Sequence, residues 1–256
     1  MCSRYVLASG VKSLEKELLA DFSFEFYPFY NAHPGGVYPV IFDHSPSSIL
    51  RARWGLIPYW SKWKSNPHMS NAFVSEVVKH PAYRLPIRKK RCLIPVNCYY
   101  CWIRKESRKT PHVVYIKDQR IFTLAGIYDD WTDRQSGECI TSFAMLINYP
   151  SKHLANLLGS MPVVIPPSRR TKYLKSTIPL NEVMRLIRPF ETDQFNLYPV
   201  SNEINNQGVD HKGLVQPVGQ RIFSEYTYQS KVYLKLEGMG SMKDNPDRKP
   251  LIMDVS

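Results

Sequence analysis

Apolar residues recur along this chain in short runs, each broken by Pro, Gly or a polar cluster. Gly10 to Ala20 carries Leu14, Leu18 and Leu19 at helical spacing with charges between them, which predicts an amphipathic helix. Tyr27 to Pro39, rich in aromatics, Pro and Gly, reads as loop leading into a short strand, Val37 to Phe42. Asp43 to Ser48 has turn chemistry. A strand follows over Ile49 to Pro58, breaking at Gly55 and Pro58, and then an irregular Trp-containing loop, Tyr59 to Asn71. Val74 to Tyr83 reads as a short helix.

Cys92 to Ile103 is a long apolar run, predicting one buried strand. A turn through Lys105 to Thr110 leads to strands at His112 to Lys117, Ile121 to Trp131 and Ser142 to Asn148. Leu154 to Leu158 is a short helical piece before a strand at Met161 to Ile165. Ser168 to Lys175, opened by a Ser cap behind Pro-Pro, and Leu180 to Ile187 are predicted helices. A short strand, Tyr198 to Ser201, precedes an Asn-rich loop, Asn202 to Gly208. Periodicity is lost from Glu237 to Ser256, which reads as a loose tail. Strands scattered between short helices favour a single α+β domain over residues 1–236, followed by the tail at 237–256.

Composition narrows the partners. Among 256 residues, 34 Lys and Arg against 22 Asp and Glu give a net charge of +12, which favours polyanions, nucleic acid before membranes. No apolar run is long enough to span a bilayer, and the N-terminus lacks a signal-peptide layout, so no membrane partner is expected. Five irregularly spaced cysteines argue against a disulfide framework and for a reducing, cytoplasmic compartment. No Gly-rich phosphate loop is present, so no nucleotide cofactor is expected. Cys98-Tyr-Tyr-Cys101 is formally Cys-x-x-Cys, with Cys92 nearby, but residues three apart on a strand point to opposite faces. Neither a metal nor any other cofactor is expected.

The chemistry-bearing stretch is the start, Met1-Cys2-Ser3-Arg4-Tyr5. Removal of Met1 would leave Cys2 with a free α-amine and a thiol on adjacent carbons. Their reference pKa values lie near ~8 and ~8.5, so both offer a reactive fraction at neutral pH. Such a 1,2-aminothiol condenses with an aldehyde, first to an imine and then to a thiazolidine. Basic clusters at Arg88 to Arg91, Arg104 to Lys109 and Arg169 to Lys172 are solvated faces by default. Aromatic interleaving at Trp54, Tyr59, Trp60 and Trp63 shifts the reading toward single-stranded nucleic acid, with Trp54 itself assigned to the core.

The blocks then join. Met-Cys-x-Arg-Tyr, Asn31-Ala-His-Pro34, Arg53-Trp-Gly-Leu-Ile-Pro58 and Ser70-Asn-Ala72 stand in order along the chain. Arg91-Cys-Leu-Ile-Pro-Val-Asn97 with Tyr100 and Trp102, Leu124-Ala-Gly-Ile-Tyr128, Phe143-Ala-Met-Leu146, Met161-Pro162 and Tyr198-Pro-Val-Ser201 continue the series. Over about residues 2–220 the chain resembles the SOS-response-associated peptidase family, the abasic-site processing proteins.

That resemblance implies a mainly antiparallel sheet, curled into an open barrel around the N-terminal cysteine with short helices about it. It also implies binding of single-stranded DNA and covalent capture of abasic sites through Cys2. Asn71 matches the family asparagine that holds the amine and sugar, and Arg4, Trp60, Trp63, Arg88, Lys89 and Lys90 are assigned to DNA. Other family positions are degenerate. Phe73 replaces a backbone-binding arginine, Cys101 a proton-shuttling glutamate, Leu158 a histidine that assists ring opening, Ser160 an arginine, and Ser3 a glycine. His68, Glu76 and Glu106 are the substitute acids nearest in sequence. The expectation is impaired capture; the alternatives are an inactive DNA- or protein-binding paralogue and, disfavoured because only Met1 precedes Cys2, a leader-removing autopeptidase.

Overall fold

The computed structural model describes residues 3–62, 69–105, 108–190 and 193–224. The described residues up to 220 form one compact unit, and the expected tail from 237 lies outside the described residues.

Strands dominate. β1 (Tyr5–Leu7) and β3 (Phe29–Ala32) join β8 (Cys98–Lys105), β9 (Arg108–Ile116) and β14 (Phe195–Pro199) in a five-stranded antiparallel sheet of order β14-β9-β8-β1-β3. The second sheet runs from β12 (Met161–Pro162) through β11 (Cys139–Asn148), β10 (Phe122–Thr132), β7 (Arg91–Val96), β4 (Val37–Phe42) and β5 (Ser45–Trp54) to β2 (Asp21–Phe22). β6 (Asn71–Phe73) and β13 (Val164–Ile165) pair at its side with β11 and β10. This sheet curls until β5 meets β11 again, in parallel, through Arg53–Ser142 and Trp54–Phe143. The α+β, mainly antiparallel and barrel-like fold is thus the one expected.

Helices α1 (Val11–Leu18), α2 (Pro86–Lys89), α3 (Pro167–Leu174) and α4 (Leu180–Leu186) cover one side of the barrel. Leu14 and Leu18 of α1, Ile87 of α2, Tyr173 of α3 and Val183 of α4 share a core with Ile41, Leu93, Ile127 and Leu146 of the sheet. Arg91 ties this layer together. Wholly buried, it donates to the carbonyls of Ile87 and Arg88 at the end of α2, and to those of Tyr173 and Lys175 at the end of α3. Carbonyls at helix C-termini carry partial negative charge, so they suit a guanidinium without a carboxylate. Gly126 makes the opposite kind of contact: a Cβ there would stand 2.7 Å from Cys92 Sγ, so the close approach of β10 to β7 requires glycine.

Several expectations need correction. The apolar run Cys92–Ile103 is not one strand but two, β7 and β8, in different sheets. Asn97 makes the break: its Oδ1 accepts from Ala8 N (2.6 Å) and Ser9 N (3.1 Å), and its Nδ2 donates to Ser9 Oγ and Arg120 O. Residues 74–85 form successive turns instead of a helix, and the helical piece is α2, on the basic stretch. β-branched Val74, Val77 and Val78 followed by Pro81 disfavour a continuous helix. Leu19 is not on the buried face of α1; it closes the helix at φ 54 and is exposed. The loop expected over Tyr27–Pro39 contains β3, and β5 begins at Ser45, within the expected turn. Met161–Ile165 is two short strands, on β11 and β10. Pro166, not Ser168, stands at the N-cap of α3, with no side-chain cap.

Candidate functional site

β1 opens the site. Tyr5 begins the strand only four residues into the chain, and the strand is hydrogen-bonded on both edges, to β3 and to β8. Terminal residues usually fray; these are interior. Tyr5 is wholly buried, with ring contacts to Trp54 (5.2 Å), Tyr38 (5.5 Å) and Phe29 (5.7 Å). Arg4, one residue earlier, donates to Asn31 Oδ1 (3.0 Å) and to the carbonyl of Asn205 (3.3 Å). Asn31 in turn donates through Nδ2 to the carbonyls of Asn206 and Val209. The pair locks β1 and β3 onto the segment 205–209. Burial pulls the Arg4 guanidinium below its ordinary pKa, against the raising influence of Tyr38 and Tyr100. Arg4 is 7% exposed, so its geometry is that of an anchor for β1.

The facing wall comes from the barrel. Trp54 stacks on Phe143 (6.2 Å, 5° between rings) and donates its Nε1–H to Ser70 O. That bond fixes the backbone immediately before Asn71. Asn71 pairs with Met145 on β11, two residues from Phe143, and alternation puts Asn71, Phe143 and Met145 on one face. Tyr5 touches Trp54, so Tyr5 and Asn71 look onto the same interior. Asn71 Nδ2 also reaches Ser70 Oγ at 3.5 Å. Phe73 lies two residues beyond on the same face, half-buried.

β8 brings Cys101. Tyr5 pairs with Tyr99, and Tyr100 N donates to Arg4 O (3.0 Å). Cys98, Tyr100 and Trp102 face a small outer core with Val6, Val113, Val200 and Leu214. Tyr99, Cys101 and Ile103 therefore face inward, on the side of Tyr5. Cys98 and Cys101 point to opposite faces, as strand alternation requires, and burial pushes the Cys98 thiol up to about 12. Leu158 is buried and Ser160 partly exposed, both just before β12.

The exposed rim carries Tyr59 and Trp60, the latter 53% exposed. Their loop is held at two points: Tyr59 N donates to Asp129 Oδ2 (2.8 Å), and Trp131 Nε1 donates to Ser61 O (2.8 Å). Arg88 and Lys89 are exposed on α2. Lys90 is paired with Asp129 (2.8 Å) and Asp130 (2.9 Å). Burial alone would lower the Lys90 pKa, but bonds to the two carboxylates outweigh it and raise it. Trp54, assigned to the core from sequence, is there. Cys2, Trp63, His68 and Glu106 lie outside the described residues, and Glu76 sits exposed in the turns after β6.

Two features were not read from sequence. Asn31 acts as the partner of Arg4, which only its motif neighbourhood hinted at. His112 of β9 pairs directly with Cys101 of β8. Its place follows from strand register alone, and no local pattern marks it. Among the described residues no group of His, Cys, Asp and Glu could hold a metal ion, and no helix is long and apolar enough to cross a membrane.

A curled, mainly antiparallel barrel with β1 built into the adjoining sheet frames the surface that Tyr5 and Asn71 share. The chain belongs to the SOS response associated peptidase (SRAP) family, whose description matches residues 1–207. It is 30% identical over 214 residues to the abasic site processing protein YoaM of Bacillus subtilis, covering 80% of this chain and 93% of that one. It is 26% identical over 264 residues to the abasic site processing protein HMCES of Gallus gallus, covering 88% and 78%. A crystal structure of a protein from Bacteroides thetaiotaomicron superposes with a TM-score of 0.77 at 24% identity, over 85% of this chain and all of that one.

Proposed function

We propose that this protein binds single-stranded DNA and captures abasic sites covalently through Cys2, once Met1 is removed. The observation that carries the reading is β1: an interior strand, hydrogen-bonded on both edges, begins three residues after Cys2 and opens onto the surface shared with Asn71. A nucleophile at the chain end needs such support, because holding reacting groups in place replaces entropy otherwise lost in the reaction. The +12 charge and the anchored, exposed Tyr59–Trp60 pair fit a single strand, whose phosphates need cations and whose bases stack on aromatic rings.

The amine of Cys2 attacks the aldehyde carbon of the ring-opened sugar to give a carbinolamine. Protonation of its hydroxyl and loss of water leave an iminium, and the thiol adds to it and gives up its proton as the thiazolidine closes. Asn71, fixed through Trp54 and Ser70, supplies amide polarity to the amine and sugar. Arg4 enters as the anchor of β1, and Arg88 and Lys89 as phosphate partners. Lys90, held by two carboxylates, contributes less. The second reading, a family member that binds DNA without crosslinking, draws on Leu158, a buried aliphatic residue that cannot move a proton.

The test uses protein lacking Met1 and a single-stranded oligonucleotide with one abasic site. Wild type is expected to give a covalent adduct without borohydride, and Cys2→Ala none, at equal affinity for undamaged strand. An absence of adduct over hours in the wild type sinks capture and leaves the non-crosslinking binder.

A further inference from the structure

Cys101 and His112 stand directly opposite each other on the paired strands β8 and β9. Side chains of opposed residues on an antiparallel pair lie on one face, their Cβ atoms roughly 4.5–5.5 Å apart. Both are nearly buried, at 8% and 7% exposure. That face is the inner one, since Cys98, Tyr100 and Val113 belong to the outer core. Tyr5 pairs with Tyr99 and Val6 with Cys98, and the same register continued sets Ser3 opposite Cys101. In sheet order the imidazole lies one strand beyond the thiol, and the thiol lies beside the incoming chain start. A buried Cys often packs as a small apolar side chain, but a buried His beside it on the same face sets two proton-exchanging groups together.

The ring is oriented. His112 Nδ1 lies 3.0 Å from the carbonyl of Thr110, and a carbonyl only accepts, so Nδ1 carries hydrogen. The exchangeable position is Nε2, a lone pair in the neutral ring and N–H in the imidazolium. A backbone carbonyl that fixes the tautomer of a histidine fixes which nitrogen does acid–base work.

Resting on the reading of Cys2 chemistry above, we infer that Cys101 and His112 form a proton-transfer pair for abasic-site capture, with the imidazole as reservoir and the thiol as carrier toward the chain start. The protons balance over the two steps. Protonated His112 passes its Nε2 proton to Cys101 Sγ as the Cys101 Sγ–H proton goes to the carbinolamine hydroxyl. The C–O bond breaks, water leaves, and the iminium takes over the positive charge. When Cys2 sulfur bonds to the iminium carbon, the Cys2 thiol proton returns through Cys101 to His112. The thiazolidine is neutral, one water has been released, and the pair is restored.

The experiment is the crosslinking reaction of the full chain without Met1, timed from pH 5 to 8.5 on single-stranded abasic DNA. His112→Gln keeps polarity without an exchangeable ring proton and is expected to slow adduct formation about 10²-fold at pH 7. Cys101→Ala should lose a similar factor. Free imidazole in the buffer should restore part of the rate to His112→Ala, where the space of the ring is vacated, which it could not do for a merely structural defect. Equal rates and equal pH profiles for wild type and His112→Gln overturn the inference alone. Failure of wild type to crosslink at all overturns the capture reading, and the pair falls with it. Should both His112→Gln and Cys101→Ala misfold, His112→Asn and Cys101→Ser take their place: rates and pH profiles unchanged from wild type overturn the pair, and a slowed rate with an altered profile supports it.

Discussion

At the scale of single residues, the site is set by what each cysteine faces. Cys92 is packed under Gly126 and Cys98 in the outer core with Tyr100; burial raises both thiols, Cys98 to about 12. An unfolded thiol titrates near ~8.5. The folded value is the higher, so the stabilisation from keeping Cys98 protonated is fully present below about pH 8.5. It is lost as pH rises from there toward 12. In urea unfolding between pH 9 and 11, wild type should therefore lose stability more steeply than Cys98→Ala, by up to about 1.4 kcal/mol per pH unit. Parallel curves would mean that Cys98 is open to water. Iodoacetamide at pH 8 gives the companion measurement: in Cys2→Ala protein the exposed Cys139 reacts, while Cys92 and Cys98 react only after unfolding.

Between residues and the whole fold stand the strands, and Asn97 decides how two of them divide. Its amide accepts from Ala8 and Ser9 and donates to Ser9 and Arg120, tying the end of β1 to the turn between β7 and β8. Asn97→Ala leaves two backbone N–H groups without that acceptor. It should cost about 2–3 kcal/mol, read as a shifted urea midpoint at unchanged slope. It should also slow crosslinking, because β1 loses its fixed exit. The same residue explains what sequence could and could not tell. Apolar content around Cys92–Ile103 correctly announced buried strand, but hydrophobicity cannot say that one polar residue inside a run is a corner. Helices α1, α3 and α4 were legible from spacing and Pro punctuation, whereas the turns after β6 imitated a helix by composition. Asn71 and the chain start were conspicuous in the sequence because their motifs are local. His112 was not, since only the pairing of β8 with β9 brings it to Cys101.

Over the whole molecule, an excess of twelve positive charges is not spread evenly among functional cations. Arg91 is consumed by four carbonyls inside the helix layer, and Arg4 by Asn31 and Asn205. Lys90 serves Asp129, the same carboxylate that holds Tyr59. Net charge therefore overstates the cations available to DNA, and Arg88 and Lys89, exposed on α2 beside Lys90, are the ones to vary. Salt titration of single-strand binding separates these roles. Each phosphate contact contributes about −0.7 to the slope of log K against log salt for single strands. Arg88→Ala and Lys89→Ala should each make the slope shallower by about that amount. Lys90→Ala should leave the slope nearly unchanged, since its charge is already countered, yet lower affinity by loosening the Tyr59–Trp60 loop. Trp60→Ala should cost about 1–3 kcal/mol of affinity, also without changing the slope, because stacking releases no counterions. A slope indifferent to both Arg88 and Lys89 would move the DNA track off α2 and onto another basic face. A Lys90→Ala slope as shallow as theirs would mean that the Asp129 pair opens when the strand binds.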